Sequence, residues 1–311
     1  MVARTRSAGE EAKASVPPQG FRIGAHISIA KSLSDALRMA KSIGANTFQF
    51  FTRNPRGGAA RQIGGAEIEI WDRERSQLDV APVVGHLPYT VNLGAAPGKL
   101  RDFALMVLAE DVVRVGEIGG ELVVSHPGRH DGDPEAARER IASLVREGLD
   151  QAKGVWEERP DQQKQLPTFL LEAMAGQGKE IGSLEDLARI LDLLDWPPEV
   201  GICLDSAHLF AAGWDLRTPD GCGQLVERLE RLFGLDRVKA MHLNDSQAPL
   251  ASHRDRHACI GQGELGDGGI SAIVNHPFLG SLPLLLETTV EKYQDYAVEI
   301  QRVLELRNVK A

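Results

Sequence analysis

From Phe21 onward, short apolar or β-branched runs alternate with longer stretches of helical periodicity. The runs occupy residues 21–27, 47–51, 81–85, 121–125, 168–171, 200–204, 238–241 and 283–286. Helices are predicted at 33–43, 99–118, 134–153, 184–194, 224–233 and 270–276, and a last one at 294–306 follows the eighth run. Eight strands, each followed by a helix or a long loop, in about 290 residues give the count and size of a (β/α)8 TIM barrel, a single α/β domain. A doubly wound sheet is the alternative, but it calls for a Gly-rich phosphate loop after its first strand, and GAHISIAKSL is not one. Residues 1–20 are rich in Ala, Ser, Gly and charge and carry Pro17 and Pro18, so a disordered tail is expected there, with the barrel domain over 21–311. The polar stretch EERPDQQKQ at 157–165 reads as a surface loop, because strand and helix order resumes directly after it.

The residues at the carboxyl ends of the runs add chemistry to this fold. His26 ends or nearly ends the first, and His86, His126, Glu172, Asp205, His242 and Glu287 stand at the third to eighth. A barrel gathers all of these ends on one face, where its active site sits. Each alone has an ordinary explanation: a strand-end His can hydrogen-bond a loop carbonyl, and Asp205 can cap the next helix with His208 on its flank. Six consecutive strands ending in His, Asp or Glu is not what core packing produces, and imidazole and carboxylate are the donors of hydrolytic metal sites. Asp255 and His257, in HRDRHACIGQGELG, lie in the loop after the seventh run, where i and i+2 side chains share a side and Arg256 turns away. With His208 added and His26 set apart, the face carries five histidines and four carboxylates of ligand type. A catalytic zinc takes roughly three protein ligands, so these groups suit about three ions.

Composition narrows the setting. With 42% hydrophobic and 25% charged residues the chain can bury a large core, and no apolar run approaches membrane-spanning length. Cys203, Cys222 and Cys259 are far apart and form no CxxC pair, so they read as reduced apolar fillers in a cytoplasmic protein. A net charge of -9 argues against coating nucleic acid by bulk charge, although bound divalent cations would reverse the sign locally at the cluster.

The blocks GAHIS, FFTRNPR, HLPYTVNLG, SHPGRH, LEAMAGQG, CLDSAHLFAAGWDLRT, MHLNDS, HRDRHACIGQGELG and LLLET follow one another through nearly the whole chain. Together they resemble the endonuclease IV family, which hydrolyses DNA at apurinic and apyrimidinic sites. The resemblance implies that His86, His126 and a bridging, catalytic Glu172 hold one ion. Glu172 with Asp205, His242 and Glu287 would hold a second, and His208, Asp255 and His257 a third. Zinc is the expected metal, with manganese as a partial alternative. Arg56 and Tyr89 fall where the family reaches into DNA at the lesion; the plainer readings are a solvated loop cation and a rim aromatic. A monomer is implied, acting on duplex DNA with abasic sites and cutting on the 5′ side to leave a 3′ hydroxyl. Clustered metals offset the phosphate's charge and activate water at neutral pH. Recognition of a missing base and a bendable backbone predicts little dependence on sequence and strong dependence on salt.

The sequence departs from the family at Ala173 and Met174, where Asn and Thr are usual, which removes possible hydrogen bonds beside the bridging carboxylate. Ala207 stands in place of a common cysteine. Two other readings stay open. A metal-dependent sugar isomerase would leave His208, Asp255 and His257 unexplained, and a damaged-DNA binder would keep zinc without turnover. His26 is expected either to support the ligands or to pack in the core, and His130, His253 and His276 to lie in loops or on the surface.

Overall fold

The computed structural model describes residues 17–55, 60–159 and 164–307. Most of the expected tail, part of the 157–165 loop and Arg56 lie outside the described residues. Eight parallel strands close into a barrel: β1 (Ile23–His26), β2 (Thr47–Phe51), β3 (Val83–His86), β4 (Leu122–Ser125), β5 (Thr168–Glu172), β6 (Val200–Asp205), β7 (Val238–His242) and β8 (Leu284–Leu286). Each pairs with the next in chain order, and β8 returns to β1 with Leu284 beside Ile23. The helices are α1 (Leu33–Ser42), α2 (Gly65–Ser76), α3 (Lys99–Glu117), α4 (Pro134–Glu157), α5 (Leu184–Leu193), α6 (Ser206–Ala211), α7 (Pro219–Phe233), α8 (Gly266–Asn275) and α9 (Tyr296–Arg307).

The predicted barrel is present, and the helices account for the differences. α2 has no apolar stripe: Trp71 is its one buried residue, fixed by Nε1 donating to the Ile118 carbonyl at 2.7 Å. A helix with a single fully buried side chain leaves no periodic signal. α7 begins earlier than predicted, because the Thr218 hydroxyl caps the Gly221 N–H and Pro219 fits the first turn. The glycines of PDGCG and of GDGG at the start of α8 mask both openings in the sequence.

Two packing layers decide where the polar strand ends point. Val84, Leu122, Val124, Leu170, Cys203, Ala240 and Leu285 form a plug inside the barrel, separate from the larger core between strands and helices. Side chains alternate faces along a strand, so the residue two beyond a plug residue faces the barrel axis again. Two beyond Val84, Val124, Leu170, Cys203, Ala240 and Leu285 stand His86, His126, Glu172, Asp205, His242 and Glu287. These groups are the next interior layer, set on an apolar floor at the carboxyl rim. The same parity turns Gln49 inward, because its neighbours Phe48 and Phe50 belong to the outer core.

Candidate metal centre

The strand-end groups meet on Glu172, which is fully buried. Its Oε2 lies 3.3 Å from both His86 Nε2 and His126 Nε2. Its Oε1 lies 3.2 Å from His242 Nδ1 and 3.3 Å from His208 Nδ1. His242 Nδ1 is also 3.1 Å from Glu287 Oε2 and 3.8 Å from Asp205 Oδ2. Donor atoms of His86, His126 and Glu172 all fall within 4.8 Å of one another, and so do those of Glu172, Asp205, His242 and Glu287.

The remaining groups arrive from outside the barrel strands. His208 sits in α6, whose N-cap is Asp205: Oδ1 accepts from His208 N at 2.9 Å, while Oδ2 accepts from Asn244 Nδ2 at 2.7 Å and faces the cluster. Capping and a metal contact would therefore use different oxygens of one carboxylate and would not compete. After β7, Asp245–Ser246 pairs antiparallel with His257–Ala258, which folds the loop back over the rim. Asp245 fastens it by accepting from Gly263 N at 2.9 Å and Leu265 N at 3.0 Å. A Cβ on Gly263 would stand 2.3 Å from the Ser246 carbonyl oxygen, so this approach requires glycine. The result places Asp255 Oδ1 3.3 Å from both His208 Nε2 and His257 Nε2, with Arg256 exposed.

The charges are mutually compensating. Burial opposes ionisation of Glu172, but His242 and His126 outweigh it and hold the carboxyl well below its usual range. Burial also disfavours the Glu287 and Asp255 carboxylates, and again the facing imidazoles hold both down. Conversely, burial disfavours charge on His208 and His242, yet neighbouring acids, Asp205 and Asp255 for the first and Glu287 and Glu172 for the second, raise both well above the ordinary value. His126 is raised by Glu172 against the same burial, and His257 is pushed up to about 9 by Asp205 and Asp255. Burial lowers His26.

A divalent cation would supply the positive charge these acids require and take the imidazole lone pairs. The fit is supported by two orphaned atoms: Nε2 of His208 and Nε2 of His257 are buried without a hydrogen-bond partner, and both face Asp255. The donor set of imidazoles and carboxylates suits zinc or a similar ion.

Tyr89 stands half-exposed on the rim, edge-on to Phe51 at 6.1 Å, and Phe51 in turn packs on His86 and His26. A cleft of about 870 Å³ opens beside His26 and Glu287, lined also by Phe51, Thr288, Val290 and Tyr293. His26 contacts Glu287 at 3.4 Å, which places it in support of the cluster. His253 is exposed, and His130 and His276 are half-buried, away from the cluster groups. The sequence reading missed Gln49 and Asn244. Gln49 bonds both His242 and Glu287, and Asn244 joins Asp205 to the Glu287 backbone, its Oδ1 accepting from Glu287 N at 2.8 Å. The available signal for Gln49 was a lone amide in the apolar run TFQFF.

Residues 37–304 match the family model of the xylose isomerase-like TIM barrels. The chain is 58% identical over 289 residues to the probable endonuclease 4 of Moorella thermoacetica, across 93% of this chain and 100% of that one. The chain belongs to the endonuclease IV family. The crystal structure of endonuclease IV from Thermus thermophilus matches with a TM-score of 0.76 and 31% identity, over 91% of this chain and 98% of that one. A D-tagatose 3-epimerase-like protein matches with a TM-score of 0.64 at 16% identity, over 92% and 98% of the two chains, which shows a shared fold alone. Within this endonuclease IV scaffold, Ala173 and Met174 are buried and apolar as the sequence implied, yet the Ala173 carbonyl still accepts from His208 Nδ1 at 3.0 Å. Among the described residues no helix is long and apolar enough to cross a membrane.

Proposed function

We propose that this chain is a metal-dependent endonuclease that hydrolyses the phosphodiester 5′ to an abasic site in duplex DNA and leaves a 3′ hydroxyl. The observation that carries the reading is the position of Glu172. Its two oxygens face different histidine pairs, His86 with His126 on one side and His242 with His208 on the other. Glu172 would thus be shared between one ion held with His86 and His126 and a second held with Asp205, His242 and Glu287. His208, Asp255 and His257 would hold a third. When bound, divalent cations neutralise phosphate charge and let water act as a nucleophile near neutral pH. The chain's own part is to fix the donors at the rim and to keep the carboxylates ionised. The cleft beside Glu287 offers room for a nucleotide turned out of the stack, and Tyr89 offers an exposed ring against which a base can pack. The family resemblance adds Arg56 as a cation for the DNA.

The test is a duplex oligonucleotide with a single tetrahydrofuran abasic analogue. One nick on its 5′ side, lost with chelator and restored by zinc, is expected. Tight binding without a nick would favour the damaged-DNA binder. Neither, with turnover of ketoses, would favour the sugar isomerase. Elemental analysis of the purified protein should find three zinc equivalents, with manganese as the partial substitute.

A further inference from the structure

Three of the rim histidines turn Nδ1 to a backbone carbonyl: His86 to Leu87 at 2.5 Å, His208 to Ala173 at 3.0 Å and His257 to Glu287 at 3.4 Å. A ring that donates from Nδ1 presents its lone pair at Nε2, and in all three Nε2 faces a carboxylate of the cluster. His242 is reversed. Its Nδ1 lies among Glu172, Glu287 and Asp205, and its Nε2 lies 2.9 Å from Gln49 Oε1.

The orientation of the Gln49 amide is forced by its partners. One terminal atom is 2.6 Å from Glu287 Oε1, and an ionised carboxylate only accepts, so that atom is the amide nitrogen. The amide oxygen then faces His242 Nε2, and an amide oxygen also only accepts. His242 must therefore carry a proton on Nε2, which leaves Nδ1 as the atom that can take a cation. The second amide hydrogen is directed to His26 Nδ1 at 3.1 Å. Gln49 is completely buried, and its strand, β2, brings no donor of its own to the cluster.

We propose that Gln49 is a positioning residue of the metal centre: its amide sets His242 as an Nδ1 donor and turns Glu287 Oε2 toward the same cation. This rests on the rim being a metal centre, as proposed above. The three backbone-anchored rings need no such partner, so the effect of losing Gln49 falls on the ion shared by Glu172, Asp205, His242 and Glu287. Removing an outer partner of a metal ligand lowers affinity about 10–100-fold.

Gln49→Met fills the same space without the amide. Zinc-loaded wild type and variant are titrated with a competing chelator while zinc per chain is measured. One equivalent should be released about 10–100-fold more easily from the variant, with the others unchanged. Long-range 1H–15N spectra of the zinc-loaded wild type give an answer that does not depend on the variant folding. His242 should show a protonated Nε2 and a metal-bound Nδ1, the opposite of His86, His208 and His257. A variant that holds every ion as the wild type does, or a wild-type His242 bound through Nε2, would overturn the assignment while leaving the metal centre intact. A wild type that takes up no zinc would overturn the metal centre and this assignment with it.

Discussion

The groups at the strand ends and those on the loop after β7 face one cluster but are held differently. Glu172, Asp205 and His242 are completely buried and stand in the barrel ladder, Glu172 beside Cys203, Asp205 beside His242, and His242 also beside Leu285. Asp255 and His257 keep 33% and 16% of their side chains exposed and depend on a two-residue ladder and on Asp245. Removing one member of a buried charge set leaves the others uncompensated away from bulk solvent. The loop pair can relax toward solvent. On the proposed reading the barrel would therefore supply a fixed pair of ion positions, and the loop would add a separable third.

Replacing Glu172 with Gln should break the fixed region. It removes the charge that the proposal shares between two ions, so the nicking rate should fall by more than about 100-fold, with loss of two ions, read by product analysis and metal content together. A variant that kept its ions and its rate would erase the distinction between rim and loop. Asp255→Asn should do less. It disturbs His208 and His257 alone, so one ion should be held more than about 100-fold less tightly, a direct donor counting for more than an outer partner, with the others retained. Release of every ion together would show that the two regions act as one unit.

Proton release sharpens the comparison further. In the metal-free protein His257 is pushed up from 6.5 to about 9, so near neutral pH an arriving cation must displace its proton. Affinity at that position should rise by at least about tenfold per pH unit up to about 9, and more steeply where the raised His208 also gives up a proton, and calorimetry in buffers of different ionisation enthalpy should detect the released protons. The raised pKa stabilises the metal-free fold fully below 6.5, and this contribution is lost as pH rises through about 9. Thermal midpoints with chelator should follow that fall, and zinc-loaded protein, whose ring is already neutral, should not. The smallest effect is expected outside both regions: Tyr89→Ala should weaken substrate binding by about 1 kcal/mol, seen in KM, with metal content unchanged.

The fixed region was the more legible in the sequence for a physical reason. Strands buried on both faces read as continuous apolar runs, so a His, Asp or Glu that ends one is conspicuous. The parity that aims those groups inward was also present, since each stands two residues beyond a plug residue such as Val84 or Leu170. Asp255 and His257 were legible only through their spacing and the family resemblance; the Asp245 clamp that delivers them could not be read from either. Gln49 was missed because its partners lie 193 and 238 residues away, so only the closed barrel joins them. α2 escaped because Trp71 is its one buried residue.

Anomalous diffraction above the zinc edge, from crystals of the zinc-loaded protein, tests the arrangement most directly. Three peaks are predicted: one among His86, His126 and Glu172, one among Glu172, Asp205, His242 and Glu287, and one among His208, Asp255 and His257. A rim without peaks, or zinc held by other residues while these nine face one another unliganded, would contradict it.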